Sequence, residues 1–151
     1  MYALTLLHPT VFSRNLFQKS NRIPIAEHGG LPGIRDKNLL LASLDRPKNL
    51  FAYGEPTPTV FELAAAYAFA FVKNPAFLDG NKRVAFVSMA TFLILNGYSL
   101  EVPEEEVVLM IKRLSTDQET QDSIADWIKE NRIKIDNQVD CKVTLQVYLR
   151  I

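Results

Sequence analysis

The two most apolar runs of the chain, Leu63 to Val72 and Val84 to Leu95, are separated by a short polar joint that contains Phe77-Leu78-Asp79-Gly80-Asn81-Lys82-Arg83. Each run is apolar round most of a helical circumference, so both helices belong at the centre of a fold, with the charged joint held at the surface between them. The first helix is expected to start after Thr59, an N-cap whose third following residue, Glu62, completes a capping box, and to run to about Lys73. The second is expected from about Asn81 to Asn96, where Asn96-Gly97 is a stop.

The rest of the chain is read around this pair. Pro9 and Pro24 interrupt the opening segment, and Glu27 to Gly33 is a turn by composition. Asp36 is expected to cap a short helix over Leu39, Leu40, Leu41 and Leu44 that ends before Pro47, leaving Asn49 to Pro58 as a connector. Further helices are expected from Pro103 to about Leu114, with Glu104, Glu105 and Glu106 on the positive end of the dipole, and from about Gln118 to Asn131. From Val139 to Ile151 apolar and polar residues alternate strictly, the pattern of a half-buried strand that needs a pairing partner in the N-terminal residues, a second subunit or another chain. The expected fold is mainly α: a helical bundle around two buried helices over residues 1–134, with a short β-strand extension over 135–151.

Composition narrows the function classes. With 17 Lys+Arg against 17 Asp+Glu the net charge is zero, which disfavours a basic nucleic-acid binder and an acidic tail protein alike. The single Cys141 excludes an intramolecular disulfide and any cysteine metal cluster, which fits a reducing compartment. Neither apolar run reaches the roughly 18 residues of a spanning helix, so the reading is cytoplasmic, with no membrane partner. The charge is unevenly placed, however: residues 1–83 carry ten basic and six acidic side chains, and residues 84–151 seven and eleven.

The polar joint is where this unevenness acquires chemistry. The free N–H groups at the start of the second helix favour an anion, and Gly80 lets a phosphate approach the backbone. Lys82 and Arg83 add cationic donors, and Asp79 offers a hard oxygen for Mg²⁺ on a phosphate. The bland alternative is a capped helix with solvated charges. The glycine spacing is not that of a P-loop.

Phe77-x-Asp79-Gly80-Asn81-Lys82-Arg83 between two apolar helices resembles the signature of the Fic/Doc family, His-x-Phe-x-Asp/Glu-Gly-Asn-Gly/Lys-Arg, and is closest to its death-on-curing branch. The resemblance is clearest over 26–133 and includes Gly29-Gly30-Leu31-Pro32-Gly33, Arg46-Pro47-x-Asn49-Leu50-Phe51-Ala52-Tyr53-Gly54, Phe61-Glu62-Leu63-Ala64 and Phe92-Leu93-x-Leu95-Asn96-Gly97-Tyr98. It implies ATP or another nucleoside triphosphate and Mg²⁺ as cofactors, with Asp79 holding the metal, Phe77, Gly80, Asn81, Lys82 and Arg83 lining the nucleotide site, and Arg83 clamping a phosphate. Leu50, Phe51 and Tyr53 fall where family members carry a flap that aligns the target by strand-like pairing; packing on the core is the alternative. Lys82 goes with Doc-type transfer of phosphate, with elongation factor Tu as the kind of target, whereas Gly80 is the residue of the nucleotidyl-transferring majority.

One position departs from the signature. Pro75 stands where the family has its catalytic His, the base that takes the proton of the target hydroxyl, a role worth roughly 10²–10⁴ in rate. Proline cannot fill it, and His8 and His28 read as surface or packing residues. The chain therefore reads as a Fic/Doc-type toxin scaffold that keeps phosphate binding and has lost most turnover, through an inactivating substitution or natural degeneration; a non-catalytic nucleotide- or partner-binding module is the alternative. The family's self-inhibitory Ser/Thr-x-x-x-Glu-Gly/Asn pattern is not matched by Ser115 to Glu119, which Thr120 follows. The resemblance thus implies control by a separate cognate antitoxin. Pairing of subunits through Val139 to Ile151 has a direct check: a chain ending at Asp136 is expected to lose dimer mass in light scattering, and an unchanged mass removes the pairing.

Overall fold

The computed structural model describes residues 33–135. They form α1 (Lys37–Tyr53), α2 (Val60–Lys73), α3 (Asn81–Leu95), β1 (Tyr98–Leu100), α4 (Glu104–Ser115), α5 (Gln121–Asn131) and β2 (Arg132–Lys134). The expected strand from Val139 to Ile151, the turn from Glu27 as far as Pro32, and both histidines lie outside the described residues.

The mainly helical expectation holds, and α2 is its axis. It packs against α1, α3, α4 and α5. Ala64, Ala65, Ala66, Ala68 and Ala70 are all buried, and their small side chains let several neighbours approach one backbone at once. The larger side chains fill what remains, with Phe71, Leu63, Met89 and Leu93 fully enclosed. The Thr59 capping box is present as expected: Thr59 Oγ1 accepts from Glu62 N at 3.2 Å, and Thr59 N donates to Glu62 Oε2 at 2.6 Å. No described helix is long and apolar enough to cross a membrane.

The structure corrects the sequence reading in three places. First, Asp36 caps α1 as expected, accepting from Asn38 N and Leu39 N, but the helix does not stop before Pro47; it runs on to Tyr53. Pro47 gives up the bond to the carbonyl of Ser43, yet it continues the buried face of Leu40, Ser43 and Leu44, and that burial offsets the lost bond. The helix stops instead at Gly54, whose N–H donates to Leu50 O at 2.8 Å and where a Cβ would lie 2.5 Å from that same oxygen. The connector is correspondingly shorter than expected.

Second, α5 begins at Gln121, not Gln118. Asp117 adopts a left-handed φ of 60°, and Lys73 Nζ ties this turn to the end of α2 by bonds to Leu114 O at 2.8 Å and Asp117 Oδ1 at 2.5 Å. Thr120 then opens α5 with a capping box closed by Ser123. Third, Pro103 is the N-cap of α4 and not a residue of its first turn.

The small sheet was not foreseen. β1 and β2 pair antiparallel with Tyr98 opposite Lys134, Ser99 opposite Ile133 and Leu100 opposite Arg132. Three-residue strands are too short to display an alternation. What holds them is tertiary: Tyr98 meets the Phe61 ring edge-on at 5.0 Å, and the Arg132 guanidinium lies 4.9 Å from the centre of the same ring.

Burial in this core pushes the Tyr67 hydroxyl up to about 12 from 10.0. The raised folded-state value means that stability is fully present below pH 10, where both states keep the proton, and is lost as the unfolded chain ionises first. Urea denaturation between pH 10 and 12 is expected to show a decline of up to about 1.4 kcal/mol per pH unit that is missing in Tyr67→Phe.

Candidate functional site

The joint between α2 and α3 is an ordered loop whose backbone is bonded on two sides. Asn74 caps α2 and donates to Ala70 O at 2.8 Å. Pro75 follows at once, a place where proline serves as a helix stop. Ala76 and Phe77 then turn inward and are buried, with Phe77 stacked on Phe71 at 6.5 Å between ring centres. Enclosing the Phe77 ring contributes roughly 2–3 kcal/mol, which pins the loop at its middle.

The polar backbone around that anchor is satisfied from both directions. Residues 33–36 run antiparallel to it: Arg35 N and Asp36 N both donate to Ala76 O, at 2.8 and 3.1 Å, and Leu78 N donates to Gly33 O at 3.2 Å. The Arg35 guanidinium donates to Pro75 O at 2.7 Å. From the other side Asn81 uses both ends of its amide, Oδ1 accepting from Phe77 N and Nδ2 donating to Phe77 O, each at 3.0 Å.

The chain then leaves the core. Leu78 and Asp79 are exposed, and Gly80 turns the corner at φ 78°, a left-handed conformation that glycine adopts without strain. Asp79 Oδ1 accepts from Gly80 N at 2.6 Å. Gly80 is the N-cap of α3, and no side chain caps the helix, so the N–H groups of its first turn remain available to an anion. Lys82 is exposed and Arg83 half-buried on that turn. Beside them, between α3 and α4, lies a cavity of about 230 Å³ floored by Phe86, Val107 and Ile111, with Lys112 at its rim.

The structure therefore brings Asp79, Gly80, Asn81, Lys82 and Arg83 together at one helix start, with Pro75 and Phe77 in the preceding loop. It assigns Asn81 a structural bond pattern: both ends of its side-chain amide are used to lock the loop. Among the described residues no group of three His, Cys, Asp or Glu side chains could hold a metal alone. One carboxylate, Asp79, fits Mg²⁺ delivered with phosphate oxygens and water as its other ligands.

Leu50, Phe51 and Tyr53 are not in an extended segment; they occupy the final turn of α1, with extended backbone beginning at Gly54. Leu50 and Phe51 pack against the core, while Tyr53 is 83% exposed. Glu119 likewise has a local role, accepting from Ser123 Oγ at 2.6 Å at the start of α5. Sequence reasoning missed Arg35 and the pairing of residues 33–36 with the loop, because nothing local marks a contact across 40 residues.

The Asn81 lock can be tested without any ligand. Asn81→Ala leaves the Phe77 amide and carbonyl without these partners, and urea denaturation is expected to give a loss of about 1–3 kcal/mol.

The family model described as "Fic/DOC family" matches residues 11–93, a span that takes in α1, α2, the joint and most of α3. Over 72 residues the chain is 38% identical to "Toxin Doc" of Mycolicibacterium smegmatis, covering 48% of this chain and 55% of that protein. Over 73 residues it is 40% identical to "Protein kinase doc" of Escherichia phage P1, covering 48% of this chain and 57% of that protein. The chain thus spans little more than half the length of these curated relatives. With its helical core, its loop between two buried helices and a family match over more than half its length, the chain belongs to the Fic/Doc family.

Proposed function

We propose that this chain is a Doc-type toxin of a toxin–antitoxin pair, built to transfer phosphate, or AMP, from ATP to a hydroxyl of a target protein of the translation machinery such as elongation factor Tu. As written it turns over little, because Pro75 occupies the position of the base. The observation that carries this reading is the start of α3: an uncapped helix N-terminus opened by Gly80 at φ 78°, with Asp79, Lys82 and Arg83 around it. Two relatives named for toxin and kinase activity support the same direction.

The residues divide the task as follows. The first-turn N–H groups of α3 receive phosphate oxygens, and Lys82 and Arg83 offset their charge. Asp79 would hold Mg²⁺, which when bound neutralises charge on the phosphates. The groove floored by Phe86, Val107 and Ile111 offers an apolar surface beside these cations, suited to a small amphipathic anion. Attack of a target hydroxyl on the γ-phosphorus releases ADP, and attack on the α-phosphorus releases pyrophosphate; in both cases the hydroxyl proton needs an acceptor. The nitrogen of Pro75 is an amide and takes none. Tyr53 and the connector after Gly54 would be the part of the flap region that meets a target. An antitoxin supplied as a separate chain would regulate the site, since Glu119 is committed to α5.

A second reading, a non-catalytic module on the same scaffold, draws on how well proline suits its place directly after the α2 cap. Restoring the base separates the two. Pro75→His protein incubated with the target and ATP labelled at the α or γ position is expected to transfer the γ label, and its induction to arrest growth. Transfer of the α label instead would assign nucleotidyl transfer. Transfer of neither label, with normal growth, would sink the toxin reading and leave the module.

A further inference from the structure

We propose that Arg35 is a positioning residue for whatever side chain occupies position 75, acting through the backbone of the loop. This rests on the transferase reading for its catalytic consequence, but its structural basis stands independently. The carbonyl of residue 75 is held by the Arg35 guanidinium at 2.7 Å, a charge-assisted bond stronger than an ordinary amide contact. The next carbonyl, that of Ala76, is held twice, by Arg35 N at 2.8 Å and Asp36 N at 3.1 Å. Phe77 is buried and locked by Asn81, and Leu78 N returns to Gly33 O.

Consecutive peptide groups are therefore fixed, and the orientation of the carbonyl of residue 75 sets ψ at that residue. On the other side Asn74 is held as the cap of α2 by its bond to Ala70 O at 2.8 Å, so the Cα–Cβ direction at 75 is fixed as well. A base placed there keeps only its side-chain torsions. Arg35 is the one member of this set whose side chain reaches residue 75 itself, and it does so from an exposed position at the edge of the loop. Misplacing a reacting group by about 1 Å costs on the order of 10²-fold in rate, so loosening this carbonyl should appear in turnover and not in nucleotide affinity.

The test uses the full chain in two backgrounds. In Pro75→His protein, Arg35→Ala is expected to lower kcat for transfer by roughly tenfold or more while KM for ATP stays within about twofold, and Arg35→Lys, which keeps a cationic donor, is expected to recover part of the loss. Asp36→Ala is the control: it removes the α1 cap but keeps the backbone bond to Ala76 O, so it should lower Tm and leave kcat in place. In the unaltered chain, Arg35→Ala is expected to speed hydrogen exchange of the Leu78 amide about fivefold or more, a local opening. Equal kcat losses in Arg35→Ala and Asp36→Ala would overturn the positioning role, as would unchanged Leu78 exchange. If Pro75→His transfers nothing, the transferase reading fails at that arm alone, and Leu78 exchange still decides whether Arg35 holds the loop.

Discussion

A polar backbone passing between two buried helices must have its N–H and C=O groups bonded, because each one left unpaired away from water costs about 1–3 kcal/mol. In this chain the requirement falls on residues 75–78, where Phe77 carries the backbone into the core. It is met from two directions. Residues 33–36 cover one side, and the Asn81 amide closes the other by bonding both the N–H and the C=O of Phe77. Much else follows from that arrangement. Asp36 can both bond the loop and cap α1, so the direction in which α1 leaves is tied to the loop that it protects.

The helix start that follows this loop is left uncapped. Most helices of this fold receive side-chain caps: Asp36, Thr59 and Thr120 each accept from first-turn amides. α3 receives none, because its N-cap is Gly80, which has no side chain; the amide of Asn81, one residue on, is turned back on Phe77. Gly80 turns the chain into α3 with a positive φ of 78°. The uncapped start of α3, with Lys82 exposed on its first turn, thus follows from a glycine at the N-cap.

How much of this was legible depended on the range of each interaction. The Thr59–Glu62 box, the Asn96-Gly97 stop and the all-round apolarity of α2 and α3 are local properties, and the structure agrees with them nearly residue for residue. The reading failed where tertiary contact overrode a local rule. Pro47 is a stop by propensity but is carried inside α1 by the burial of its face. Tyr98–Leu100 and Arg132–Lys134 have no strand pattern until Phe61 brings Tyr98 and Arg132 to one ring. At the site, the glycine turn and helix start at residues 80–81 were legible from local composition; the bond from Arg35 to Pro75 O, spanning 40 residues, left no trace in sequence.

These observations bear on what a change at position 75 can do. Among the described residues, the contacts that order the loop use main-chain groups of residues 75–78 or the side chains of Arg35, Phe77 and Asn81, and none uses the side chain at 75. The order of the loop is therefore separate from the side chain carried at 75. A substitution at 75 can change the side chain while leaving the carbonyl on Arg35, the ring in the core and the uncapped start of α3 as they are. Proline is well suited to that separation, since it follows the α2 cap directly, where a backbone N–H has no helical partner to lose. The bonds that order the loop thus set no barrier to a change of side chain at 75, and the uncapped start of α3 does not depend on which side chain is there.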